Sequence, residues 1–188
     1  MSTIVGVFIF VIIIGILVGI FSIVIQSKSN KRFEENVNNQ GFNITKRCTY
    51  GNGVLLIDEQ GKKWTVNNYF SKYKIYEYND LLEIEIFEDG VNIGKTSSLG
   101  KAIVGGFLFG VAGAVIGSSM GKKKNECTSL GLRIIVNDLD QPYIQLNFLN
   151  GKTKRDSIVY KTALQSANQI AAVLTTIQYQ DSKSKQLI

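Results

Sequence analysis

Between Ile4 and Ile25 the chain carries no charged side chain, and Ile, Val and Phe fill most of the stretch. As a helix rising about 1.5 Å per residue, such a run reaches roughly 33 Å, enough for a hydrocarbon core of about 30 Å. A cleaved signal peptide would show a basic residue before a shorter apolar run, and small residues at the cut. Here no Lys or Arg precedes the run, and Gln26-Ser27-Lys28 follows it. The sequence therefore predicts a retained transmembrane anchor over residues 1–26. Lys28, Lys31 and Arg32 lie just beyond it. The positive-inside rule then puts the short N-terminus outside and residues 27–188 in the cytoplasm, a single-pass arrangement. Gly15 and Gly19 form a GxxxG pair that would let two such helices meet.

Composition removes whole classes of chemistry. With no histidine, Ser-His-Asp and Cys-His nucleophile systems, His-zinc sites and imidazole bases are excluded. Cys48 and Cys127 lack metal-ligand spacing and suit a reducing compartment. The net charge of +6 arises entirely after residue 100, mainly in Lys122–Lys124 and Lys152/Lys154/Arg155. No helix shows a basic face and no aromatic residues interleave with the clusters, so nucleic acid is not expected. Lysine clusters beside apolar segments fit a membrane surface, and the lipid bilayer is the expected partner.

After a polar linker over residues 27–41, alternating runs predict short strands. Val54–Ile57 lies between turn residues; Lys63–Val66 and Lys74–Tyr78 follow. Leu82–Phe87 reads with Leu82, Ile84 and Ile86 on one face and Glu83 and Glu85 on the other, ending in the turn Glu88-Asp89-Gly90. Leu132–Val136 and Tyr143–Phe148 come later, with a turn expected at Asn150-Gly151. The period then changes. Tyr160, Ala163, Leu164, Ala167, Ile170, Ala171, Leu174 and Ile177 form one helical apolar stripe, with Asp156 or Ser157 placed to cap it. The polar tail, 179–188, is expected to fray.

This order, roughly six or seven strands closed by one helix, resembles a bacterial pleckstrin-homology-like domain over about residues 42–178. The fold class is thus membrane-anchored and mainly β with a C-terminal helix, the sheet domain being split into 42–99 and 125–178. The strand ending Glu88-Asp89-Gly90, a glycine-rich apolar insert and Tyr160-Lys161 opening the helix are also similar to small bacterial membrane proteins of unassigned role. The resemblance implies a binding or scaffold module without a catalytic centre or cofactor.

The insert spans residues 100–124. From Lys101 to Lys122 it holds AIVGGFLFGVAGAVIGSSMG, with no charge. On a helix Ala102, Gly106, Gly110, Ala114 and Ser118 fall every four residues, and Gly113, Gly117 and Gly121 form a second row. Such a stripe lets another backbone approach closely, across a hairpin or in a homo-oligomer. Lys101 before it and Lys122, Lys123 and Lys124 after it are placed to face the membrane surface. A hairpin turning near Gly110–Gly113 keeps both flanks on one side; a true second crossing would break the sheet domain. Two functions compete on this reading: a scaffold at the inner membrane face, or a membrane-active oligomer such as a pore former, toxin or phage-exclusion protein.

Other motifs fail on spacing. Gly90–Thr96 looks like a phosphate loop one residue short, with Asp89 standing where glycine belongs. Glu83 and Glu85 read as a solvated strand face rather than an acid/base pair. Asn137–Asp140 lacks the closing Glu of a calcium loop. The sequon Asn43-Ile44-Thr45 is idle on a cytoplasmic side, and Trp64 reads as a core or barrel-rim residue. No enzyme is expected.

Overall fold

The computed structural model describes residues 2–51, 53–67, 73–97 and 125–185. The chain forms two compact units, residues 1–42 and 43–188.

The first unit is one helix, α1 (Ser2–Asn38). The polar segment read as a linker is helical as far as Asn38. A paired cap ends it: Phe42 N–H donates to the Val37 carbonyl at 3.2 Å and Gly41 N–H to Asn38 at 3.0 Å. Gly41 supplies the left-handed φ of +79° that this cap requires. Every side chain described from Val5 to Phe21 is exposed, and nearly all are apolar. Among the described residues no helix is long and apolar enough to cross a membrane.

The second unit holds two four-stranded antiparallel sheets and a helix. The first sheet runs in sequence order: β1 (Lys46–Tyr50), β2 (Gly53–Asp58), β3 (Lys63–Asn67) and β4 (Ile75–Glu77). Trp64 on β3 is fully buried; its ring stacks on Tyr76 at 4.9 Å and its indole N–H donates to the Glu77 carbonyl at 3.1 Å. Gly53 opens β2 because a side chain there would strike the Tyr50 ring and lie 2.6 Å from the Asn67 carbonyl.

A single 3-10 turn, Tyr78–Asp80, leads into the second sheet: β5 (Leu81–Glu88), β6 (Val91–Ser97), β7 (Glu126–Val136) and β8 (Tyr143–Lys154), in the spatial order β6-β5-β7-β8. An irregular register between Leu81 and Glu83 corrects the expected face. Leu81 points inward and Leu82 is 39% exposed, while Ile84 and Ile86 are buried as predicted. Lys74–Tyr78 shortens to β4 because Tyr78 enters the 3-10 turn. The turn expected at Asn150-Gly151 is absent. β8 continues through it beside a register shift, with Gly151 at φ +127° absorbing the irregularity. Strands β1 and β6 have no sequence forecast, β6 lying where a phosphate loop was rejected.

Helix α2 (Ile158–Lys185) closes the unit. Ser157 caps it: its Oγ accepts from Tyr160 N–H at 3.2 Å. Tyr160, Ala163, Ala167, Ile170, Ala171, Leu174 and Ile177 are buried in one core with Leu55, Trp64, Ile84, Leu132, Ile134 and Leu146. Leu164 packs at its edge. The helix runs through buried Gln178 and into the segment expected to fray, ending at Lys185.

Candidate functional site

The most unusual chemistry lies where β5 ends. Asp89 and Gly90 join β5 to β6 with φ of +50° and +79°, the two left-handed positions of a tight hairpin turn. Alternation along β5 carries Glu88 to the same inner face as Ile84 and Ile86, where it is 1% exposed. Buried carboxylates are costly unless paired. Arg155, just past β8, supplies the partner: its Nη1 lies 2.9 Å from Glu88 Oε1 and its Nη2 3.9 Å from Asp89 Oδ2. Its guanidinium also sits 6.0 Å from the centre of the Tyr160 ring.

Asp89 turns the other way, onto β7. Its Oδ1 accepts from Thr128 N–H at 2.7 Å, Thr128 Oγ1 at 2.7 Å and Ser129 N–H at 3.0 Å. Its own N–H donates to the Ser129 carbonyl at 3.0 Å. Burial raises this carboxyl, but the bonds from Thr128 and Ser129 and the charge of Arg155 outweigh it, so it is held below its ordinary value. Cys127 behaves oppositely. Burial first, and then the Glu88 carboxylate, push its thiol up to about 12. Burial and Glu88 likewise raise the Tyr160 hydroxyl.

Glu88, Asp89 and Cys127 each place one ligand atom within 4.8 Å of the others. The surroundings do not suit a cation. Arg155 already sits against both carboxylates, Asp89 Oδ1 is taken by three donors, and the thiol, far from becoming a thiolate ligand, donates to the Ser129 carbonyl at 3.3 Å. The cluster is a structural clasp. It pins residue 89 to residues 128–129, and Arg155 N–H ties β8 to Asn125 through its carbonyl at 3.0 Å.

The helix-packing residues Ala102, Gly106, Gly110, Gly113, Ala114, Gly117, Ser118 and Gly121 lie outside the described residues, as do Lys101 and Lys122–Lys124. Lys28, Lys31 and Arg32 are exposed on α1. Lys152 pairs with Glu126 at 2.9 Å. Arg155, grouped by sequence with the surface lysines, instead turns inward. The clasp was hidden in sequence because Glu88 looked like a turn residue; the even spacing of 84, 86 and 88 was the signal that placed it inside.

Two antiparallel sheets sharing a core with one C-terminal helix define a pleckstrin-homology-like module. The profile of the family described as "Glycine zipper containing PH domain" matches residues 40–150, and the chain belongs to that family. No curated protein and no solved structure matches it.

Proposed function

We propose that this protein is a membrane-anchored, non-enzymatic binding or scaffold module at the inner face of the cytoplasmic membrane. The observation that carries the proposal is α1, whose apolar side chains are exposed on every side from Val5 to Phe21. A helix apolar all round needs lipid or a partner to cover it. With residues 4–25 uncharged, lipid satisfies it along its length, and Lys28, Lys31 and Arg32 favour a cytoplasmic second unit. The family supports binding rather than catalysis.

Strands β6 and β7 both pair with β5. The chain joining them therefore starts and finishes on one side of any bilayer, which counts against a single crossing by residues 102–121. The glycine rows are then free to pack against each other or against a second copy.

The test is reconstitution of the full chain into vesicles holding a trapped dye. The module should float with the vesicles, resist alkaline carbonate extraction and release no dye. Carbonate release would remove the anchor, and dye release would favour the membrane-active oligomer.

A further inference from the structure

Strands β6 and β7 each run antiparallel to β5, so they run parallel to one another. The chain that joins them must travel back along the length of the second sheet. The register sets how far. β6 ends at Ser97, opposite Glu83, whereas β7 begins at Glu126, four residues before the Leu130 that faces Glu88. Five residues from Glu83 to Glu88 and those four make roughly 31 Å at 3.4 Å per residue. The step sideways past β5 adds two strand spacings of about 4.8 Å. The two stems therefore stand roughly 32 Å apart, at opposite ends of the sheet.

Parallel strands are joined by crossovers, usually helical. Residues 102–121 are twenty uncharged residues, and as one helix they measure about 30 Å. That length closes the gap and leaves residues 98–101 and 122–125 to turn at either end. A hairpin turning near Gly110–Gly113 would instead bring Ala102 and Gly121 to about 10 Å apart. The flanking residues would then have to stretch toward each other along the sheet.

The inner face of the sheet is filled, with Ile84, Ile86, Leu132 and Ile134 in the core. The outer face remains. There Phe87 and Ile135, neither of them in that core, are half-buried, and Tyr143 is 51% exposed. Gly131, opposite Phe87, leaves the middle of the face without a side chain. The polar groups lie against one another. The Arg133 guanidinium sits 4.4 Å over the Phe87 ring and 3.7 Å from Glu85, and Asn92 Nδ2 donates to Glu85 Oε1 at 3.2 Å. Two acids, Glu83 and Glu85, share this face with two bases, Arg133 and, by register, Lys95. A face without net charge suits an uncharged cover.

We infer that residues 102–121 cross the outer face of the second sheet as one helix and cover it. A helix apolar all round has to be covered, and the sheet takes one side of it. The inference goes beyond the membrane location and holds wherever the bilayer lies.

Double electron–electron resonance on the full chain in mild detergent is the test. Cys48→Ser removes the half-buried thiol, Cys127 is fully buried and shielded from label, and Trp64 emission reports an intact fold. Spin labels on Lys101→Cys and Lys122→Cys should lie about 31 Å apart, the rise of a helix between those positions. Labels on Val111→Cys and Gln145→Cys should lie within about 20 Å, two strand spacings across and one packing layer up. A first distance of about 10–15 Å restores the hairpin and overturns the inference, and a broad distribution without a peak overturns it as well. The expected first distance with a second beyond about 30 Å takes the helix off the sheet and overturns the cover. Singly labelled chains are also mixed; a distance from 111 to 145 found only between chains gives the face to a second copy and sinks the inference too.

Discussion

Arg155→Met should be the most damaging single change in the clasp. Among the described residues it leaves Glu88, 1% exposed, with no other cation to answer its charge. Breaking a buried pair by removing one partner costs about 3–5 kcal/mol. The Arg155 side chain is 23% exposed, so water already weakens the pair and the lower end, about 3 kcal/mol, applies. Glu88→Gln should cost less, because Arg155 keeps Asp89. Combined, the two changes should cost less than their sum by about 1–2 kcal/mol, inside the range of roughly 0.5–3 kcal/mol for contacting pairs. Urea unfolding of the full chain in mild detergent, followed by Trp64 emission, measures all three variants. With a slope of about 1–3 kcal/mol per molar urea, Arg155→Met should lower the midpoint by roughly 1–3 M. A loss below about 0.5 kcal/mol, with the double variant strictly additive, would falsify the clasp.

Three further outcomes follow from the same geometry. The Asp89 carboxyl is lowered on folding, so its contribution is present above its unfolded value near 3.9 and fades as pH falls through the folded value; Asp89→Asn, which tolerates the left-handed turn, should flatten acid unfolding below about pH 4, and an unchanged acid limb would contradict this. Leu174→Ala, at a fully buried site facing the sheets, should cost about 2–5 kcal/mol, whereas Leu164→Ala at the core's edge should cost clearly less; equal costs would mean the helix is seated differently. Gly110→Leu and Gly117→Leu should reduce crosslinked oligomer and membrane-associated fraction more than Leu108→Ala does, because bulk added to a small-residue stripe separates backbones that must meet; the reverse order would indicate simple lipid contact.

What sequence revealed of the fold follows from periodicity. Ile84 and Ile86, the Trp64 core position and the stripe from Tyr160 to Ile177 were readable because burial recurs every second or every third to fourth residue. β1 escaped because Lys46, Arg47 and Thr49 are exposed and leave no apolar alternation. β6 escaped because its Asn92, Gly94 and Lys95 resemble a loop. Leu82 was misassigned because one irregular residue reverses the parity of everything before it. The clasp required knowledge of pairing. Asp89 meets Thr128, and Glu88 meets Arg155, only because β7 lies beside β5 and β8 beside β7. Such long-range partners leave no local pattern to read.

The neighbourship of β5 and β7 also dictates an order of assembly. Glu88 pairs with Leu130, so the ribosome must deliver the whole insert before β7 can join the β5–β6 hairpin. Closing a loop costs about 0.6 kcal/mol for each doubling of its length. Against a two- to four-residue hairpin, the detour raises the entropic barrier by roughly 2 kcal/mol, and β5 must wait with an open edge. Asp89, with its three bonds to Thr128 and Ser129, then acts as the latch that closes once the late strand arrives.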